Sequence, residues 1–175
     1  MSIMSSFPFD YVTRQKLGGV NLTFFIVEQI PVLTPRSLDD PCLWKPSLSY
    51  GAWMTQRIVE LIFTANDIKP CAAELGDTGS PFLWDRERRS HLKVELDACL
   101  FILYGLSRED TAYVLDTFPI VRRKDEAAFG EYRTKRLILE AFDGMSEAIA
   151  TGTPYVSPLD PPPGHGPRHE NLSEL

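Results

Sequence analysis

The sequence predicts a mainly α-helical protein with a small N-terminal α+β piece, in which a helical bundle follows the end of another subdomain. Two observations lead to this fold class. Three stretches between residues 50 and 150 place apolar side chains at offsets 0, 4, 7 and 11, which is the spacing of one helix face. Near the start of the chain, Phe9 to Val12 form a short strand-like run that precedes a double glycine.

Residues 1–35 predict a strand, a glycine turn and a short helix. Apolar residues follow one helical stripe after the turn, with Asn21 in the N-cap position: Leu22, Phe25, Ile26 and Ile30. Pro31 and Pro35 then force extended backbone. Because a lone strand leaves both of its edges unpaired, we expect Phe9 to Val12 to belong to a sheet whose other strands lie elsewhere.

Residues 36–49 are rich in proline and polar residues, so we expect a linker with Trp44 as an anchor. We expect residues 50–150 to form a helical domain. Asp85 is a candidate helix cap, and Ser107 to Asp110 resemble a capping box. The helical stripes imply three helices that share one core: Met54, Ile58, Leu61 and Ala65; Leu92, Leu96, Cys99 and Leu103; Ile138, Phe142, Met145 and Ile149. Residues 151–175, rich in proline and polar groups, predict a disordered or loosely draped tail.

Composition limits the classes of function. The net charge is −6, whereas a free-standing nucleic-acid-binding protein usually has a basic balance. The sequence has no apolar run of eighteen residues, so we expect no membrane contact. Its three cysteines lack metal-ligand spacing, which favours a reduced, cytoplasmic protein.

No catalytic or metal-binding motif is present in the sequence. The histidines do not combine with serine and aspartate into a triad, and we find no phosphate-binding glycine loop. Asp160 to Pro163 read Asp-Pro-Pro-Pro, which differs from the Asn- or Asp-Pro-Pro-aromatic loop of amino-methylating enzymes at the position that stacks on the flipped base. We therefore predict no catalytic residue, metal or cofactor in this chain.

Two segments are candidates for contact with DNA. In the first, a basic extended stretch precedes glycines and a helix N-terminus, an arrangement that suits an anion: Arg14, Lys16, Gly18, Gly19 and Asn21. In the second, six basic residues outnumber three acidic ones between positions 122 and 136: Arg122, Arg123, Lys124, Arg133, Lys135 and Arg136. If the second segment is helical, we expect Arg122, Lys124 and Arg133 to face the phosphates and Arg136 to pair with Tyr132 or Glu140. The alternatives are a turn with solvated charges in the first segment and a helix surface that neutralises itself in the second.

Two stretches together resemble the C-terminal part of large restriction–modification DNA methylases. FDYVTRQKLGGVNLTFFIVEQIPVL is similar to the closing segment of their target-recognition domain, with a glycine turn, a short helix and an Ile-Pro-Val exit. ELDACLFILYGLSREDTAYVLDTFP is similar to their C-terminal helix-turn-helix, on Asp97, Leu103 to Leu106 and Ser107 to Asp110. FPIVRRKDEAAFGEYRTKRLILEAFD continues the likeness, which spans roughly residues 7–150.

The resemblance implies a C-terminal recognition and support segment of a type IIG-like N6-adenine methyltransferase that acts in bacterial phage defence, with or without a fused endonuclease. It implies that S-adenosylmethionine and the catalytic loop belong to an upstream domain or subunit, and that this chain is a severed end that positions double-stranded DNA. The alternative function is a helical protein–protein interaction subunit or adaptor without direct DNA contact, which the acidic net charge favours.

Overall fold

The computed structural model describes residues 3–19 and 21–170, and within them the protein is mainly helical, without β-strands. Two short 3-10 turns, Ile3–Ser5 and Asn66–Ile68, accompany the α-helices. In chain order these helices are α1 (Phe7–Lys16), α2 (Phe24–Val27), α3 (Pro35–Asp39), α4 (Tyr50–Ile62), α5 (Lys69–Glu74), α6 (Arg86–Leu103), α7 (Arg108–Asp116), α8 (Pro119–Phe129) and α9 (Arg133–Thr151).

Helix α6 is the centre of the bundle. Residues 94–101 are all buried, so this helix is surrounded rather than buried on one stripe. It packs against α4 and α9, and α7 and α8 also contact α9. The main core extends from Trp53 and Met54 through Leu100 and Phe101 to Met145.

The sequence prediction of helices that share one core is confirmed. Most stripe residues are buried or pack against the main core, apart from two at helix ends: Ala65 lies beyond α4, and Ile149 is exposed near the end of α9. Asp85 caps α6 by accepting a hydrogen bond from the Arg88 backbone N–H at 2.6 Å. The periodic pattern therefore located the bundle correctly.

The predicted strand at Phe9 to Val12 is wrong, because these residues lie inside α1. Ser6 caps this helix by accepting a hydrogen bond from the Phe9 backbone N–H, and Pro8 occupies the first turn, where a missing N–H has no cost. Phe9 is buried, and the Phe7 ring lies edge-on to Phe118 at 4.7 Å between centroids. Because α1 packs on the helical core of its own chain, the N-terminal α+β piece and its missing strands have no support.

The predicted helix after Gly19 is shortened to the four residues of α2. Thr23, rather than Asn21, occupies its N-cap position, and Leu22 and Phe25 are exposed instead of forming a buried stripe. The linker of residues 36–49 begins with most of α3, and Trp44 within it is completely buried, which confirms its role as an anchor.

Residues 152–170, which the composition predicts to be disordered or loosely draped, form an irregular segment with specific contacts to the bundle. The backbone N–H of Gly164 donates to Glu60 Oε2 at 2.8 Å, and Arg168 forms an ion pair with Asp77 at 2.6 Å. Carboxylates far away in sequence thus hold a segment that has too few apolar residues to form a core of its own. Residues 171–175 of the predicted tail lie outside the described residues.

Candidate interaction surfaces

The first predicted DNA-facing segment is helical where an extended chain was expected. Arg14 lies in the last turn of α1 and forms an ion pair with Asp10 at 2.6 Å. Its guanidinium also lies over the Phe118 ring, 4.4 Å from the centroid, which places the end of α1 beside the start of α8. Lys16 is exposed and forms no ion pair with any described residue. Residues i and i+2 of an α-helix point in directions about 200° apart, so Arg14 and Lys16 do not share one face.

Gly18, Gly19 and Asn21, the residues of the predicted anion cradle, lie in the connection between α1 and α2. All three residues are exposed, and a Cβ atom added to either glycine would meet nothing within 4 Å. Asn21 does not cap a helix, and Thr23 at the start of α2 makes no side-chain cap bond. What the structure leaves at this place is an accessible connection between α1 and α2.

The second predicted segment is divided between two helices. Gly130 adopts a left-handed conformation with φ of 74° and ends α8, and α9 begins at Arg133. Tyr132 lies between them and donates its hydroxyl to the Leu115 carbonyl at 2.9 Å. Burial raises the pKa of Tyr132 to about 12. The basic residues between Arg122 and Arg136 therefore project from the junction of α8 and α9, here called the basic corner, rather than from one continuous helix.

Two arginines of this corner are held by carboxylates near them in sequence. Arg122 pairs with Glu126 at 2.7 Å, and Arg136 pairs with both Glu131 and Glu140 at 2.8 Å. The hydrogen bond with Glu131 raises the pKa of Arg136 most, and the hydrogen bond with Glu140 raises it further. The expected pairing of Arg136 with Glu140 is confirmed.

Two further basic residues connect helices. Arg133 of α9 pairs with Glu87 of α6, and this bond lowers the pKa of the Glu87 carboxyl. Lys135 of α9 pairs with Asp116 of α7 at 2.7 Å. Both cationic side chains are less exposed than those of Arg122 and Arg136. They therefore connect helices of the bundle in addition to carrying charge at its surface.

Three of the eight predicted basic residues remain without an ion pair to the described residues: Lys16, Arg123 and Lys124. All three are exposed. Exposed ion pairs contribute little to stability, so Arg14, Arg122 and Arg136 can exchange a carboxylate for a phosphate at small cost. The three unpaired residues need no exchange at all.

The helix-turn-helix predicted around Leu103 to Asp110 is present. Gly105 has φ of 72°, and the backbone N–H of Leu106 donates to the Phe101 carbonyl at 3.1 Å, which ends α6. Ser107 then opens α7 with a complete capping box: its hydroxyl accepts from the Asp110 N–H at 3.0 Å, and its own N–H donates to the Asp110 carboxylate at 3.3 Å.

Two residues of α6 and its following turn hold the N-terminal segment. Asp97 Oδ1 accepts a hydrogen bond from the Phe7 backbone N–H at 2.9 Å, where α1 begins. The Tyr104 hydroxyl donates to the Pro31 carbonyl at 3.2 Å, where the segment leaves α2. Burial raises the pKa of Asp97 to about 7, against the opposing effects of the Phe7 bond and the Lys93 charge. The two ends of residues 7–31 are thus fixed on one helix.

Exposed apolar side chains lie in this segment and directly after it, and they are here called the α2 surface: Leu22, Phe24, Phe25 and Val32. Phe24 is 79% exposed and Phe25 is 72% exposed, while the nearby Ile30 is buried. Adjacent exposed phenylalanines are unusual on a protein that remains alone in water. Sequence periodicity placed Leu22 and Phe25 in a helix stripe, but periodicity does not distinguish a stripe that faces its own core from one that faces a partner.

A shallow apolar groove of about 210 Å³ adjoins this segment. Its lining includes Phe9 and Tyr11 of α1, Pro31 after α2, and Tyr104 and Val114. Tyr113, which is largely exposed, lies edge-on to Tyr11 with 6.5 Å between ring centroids. The groove and the α2 surface together give this side of the bundle an apolar character.

The described residues contain no group of three or more histidine, cysteine, aspartate or glutamate side chains that could hold a metal ion. In the same part of the chain, none of the helices is both long enough and apolar enough to cross a membrane. Comparison with family models, with curated proteins and with solved structures finds no match to this chain.

Proposed function

We propose that this chain is the recognition and support segment of an adenine-specific DNA methyltransferase of the restriction–modification type. In this proposal it docks on the catalytic part of the enzyme through the α2 surface and positions double-stranded DNA in the cytoplasm. Methyl transfer, with S-adenosylmethionine, belongs to that catalytic part.

The observation that carries the proposal is the attachment of residues 7–31 to α6. The two stretches that together resemble the methylase family lie far apart in the sequence. In the fold, Asp97 and Tyr104 of the second stretch bind Phe7 and Pro31 at the two ends of the first. The resemblance thus concerns one physical unit, in which a helix-turn-helix supports the segment that would leave a recognition domain.

The α2 surface is evidence that this chain docks on another protein rather than remaining a monomer in solution. The segment that connects the two fixed ends turns Phe24 and Phe25 to solvent, although Ile30 nearby is buried. Burial of apolar area stabilises association by about 25 cal/mol per Å², so two phenylalanine side chains are a substantial contribution. The catalytic part of the methyltransferase is the occupant that the resemblance of this same segment implies.

Contact with DNA in this proposal depends on Lys16, Arg123 and Lys124, the three of the eight predicted basic residues that are exposed and form no ion pair with the described residues. Contacts with phosphates fix the orientation of a protein on the duplex without reading its sequence. The acidic net charge of −6 is compatible with a confined contact, because basic residues outnumber acidic ones by six to three between positions 122 and 136.

A second candidate function is a helical interaction subunit without DNA contact. It is favoured by the pairing of five of the eight predicted basic residues with carboxylates: Arg14, Arg122, Arg133, Lys135 and Arg136. In this alternative the α2 surface docks a partner, and the basic corner only connects helices.

The salt dependence of duplex binding distinguishes the two candidates. Each phosphate contact contributes a slope of about −0.9 in log K against log salt, so three contacts predict a loss of roughly 40-fold in affinity between 50 and 200 mM salt. The double substitution Arg123→Glu and Lys124→Glu removes two contacts and should reduce this loss to roughly 3- to 4-fold, apart from the repulsion that the new charges add. Fluorescence anisotropy of a labelled duplex measures both values.

A matched control is Arg36→Glu with Lys69→Glu, which makes the same change in net charge at two exposed residues of α3 and α5. The DNA proposal expects this control to retain most of the wild-type salt slope. If wild-type binding is flat with salt or absent, or if both double variants lose the slope equally, the role in DNA positioning is excluded and the interaction subunit is favoured.

A further inference from the structure

A second cavity lies beside α4, where residues 155–165 pass over the bundle. Its volume is about 410 Å³, within the range of small-molecule sites. Trp53 and Arg57 of α4 form its floor, and Leu159 and Pro162 of the irregular segment form its roof. The cavity therefore exists only because residues 152–170 are packed on the helices.

The floor carries the buried guanidinium of Arg57, which, within the described residues, has a nitrogen free to donate further hydrogen bonds. Arg57 is 3% exposed and pairs with Glu95, which is 1% exposed, through Nε at 2.8 Å. Its Nη1 donates to the Trp53 carbonyl at 2.9 Å, and the Tyr155 hydroxyl donates to the other oxygen of Glu95 at 2.9 Å. Its Nη2 makes no hydrogen bond within the described residues, and Arg57 lines the cavity.

The remaining polar lining consists of cationic or donor groups. Lys45 lies at the margin, and Gln56, Ser157 and His165 also face the cavity, whereas no aspartate or glutamate is among its lining residues. Two carboxylates near the lining are already engaged: Glu95 by Arg57 and Tyr155, and Glu60 by Arg88 and the Gly164 backbone N–H. An anion in the cavity would thus meet donors without a competing negative charge in the lining.

We propose that this cavity binds a small organic carboxylate with an apolar body. The carboxylate accepts hydrogen bonds from Arg57 Nη2 and from Lys45, since charge-assisted bonds of this kind are the strong ones. The apolar body packs under Leu159 and Pro162. This inference does not depend on the methyltransferase proposal, because it involves neither the α2 surface nor the basic corner.

Isothermal titration calorimetry with two matched probes tests the proposal: 4-phenylbutyrate, and the neutral 4-phenylbutyramide of nearly the same shape. We expect the acid to bind at least tenfold more tightly than the amide, because only the acid forms charge-assisted bonds. Lys45→Gln should weaken binding of the acid about five- to tenfold and leave binding of the amide unchanged.

Lys69→Gln, an exposed lysine on α5 outside the cavity, is the control and should leave both affinities unchanged. Lys45 is partly exposed and makes no side-chain ion pair with the described residues, so its substitution should not impair folding, which a thermal unfolding curve checks. Equal affinity for acid and amide, no binding of either probe, or a loss of acid affinity that is the same for both lysine variants would overturn the proposal.

Discussion

Replacement of Asp97 by asparagine should stabilise the protein at neutral and alkaline pH. The structure gives this carboxylate one hydrogen bond, from the Phe7 backbone N–H, in a buried place where the charged form is costly. Burial raises its pKa from 3.8 to about 7. Asparagine retains the accepting oxygen and never ionises, so Asp97→Asn keeps the attachment of α1 and removes the cost of the charge.

The size and sign of the effect follow from linkage between protonation and folding. Below pH 3.8 the carboxyl is neutral in both folded and unfolded chains, so wild type and variant differ little. Between pH 3.8 and about 7 the unfolded chain releases the proton and the folded chain keeps it, so wild type loses about 1.4 kcal/mol of stability per pH unit from this group. Above pH 7 the advantage of the variant should level off at roughly 4 kcal/mol.

Urea unfolding of both proteins at pH 4, 5.5, 7 and 8.5 measures this difference. Asp39→Asn, an exposed aspartate at the end of α3, serves as the control and should change stability by no more than a few tenths of a kcal/mol at every pH. An advantage of Asp97→Asn that does not grow with pH, or a variant less stable than wild type at pH 8.5, would refute the argument that a buried charge is retained here.

Three other changes test the packing, each by urea unfolding. Arg57→Met should lower the free energy of unfolding by about 3–5 kcal/mol, because it leaves the Glu95 charge buried and unpaired. Adding Glu95→Gln should recover most of this loss. If it recovers none, a buried ion pair is contradicted. Tyr155→Phe should cost about 2 kcal/mol through the lost hydrogen bond to Glu95, and no change would show that this bond is not formed in solution. Ser107→Ala should cost about 1 kcal/mol, whereas Ser107→Thr retains the cap and should cost less; equal losses would argue against the cap.

The features that the sequence predicted correctly are those whose cause is local. Ser107 and Asp110 satisfy each other's backbone within one turn, and the spacing of Leu92, Leu96 and Cys99 is set by the helix period itself. The start of α1 was also marked, by Ser6 before Pro8, but the aromatic and β-branched residues from Phe9 to Val12 favoured a strand. Tertiary packing on α6 decided between the two.

The features that escaped prediction depend on residues far away in sequence. Arg133 meets Glu87 across 46 positions, so the charge of the basic segment could not be inferred from the segment alone. The order of residues 152–170 depends on carboxylates such as Asp77. The exposure of Phe24 and Phe25 depends on which surfaces the rest of the chain covers, and no periodic pattern contains that information.

The most direct test of the account is adenine methyl transfer by material that the tagged chain captures from the cells that encode it. The captured material is incubated with duplex DNA and S-adenosylmethionine, and N6-methyladenine is measured by mass spectrometry. Phe24→Ser with Phe25→Ser disrupts the α2 surface, and Leu43→Ser with Ile120→Ser replaces two exposed apolar residues outside it.

We predict N6-methyladenine with the wild type and with the Leu43 and Ile120 control, and its loss with the Phe24 and Phe25 variant. If wild-type captures produce no N6-methyladenine, or if the Phe24 and Phe25 variant captures as much activity as wild type, the proposed docking of this chain on a methyltransferase through the α2 surface is contradicted.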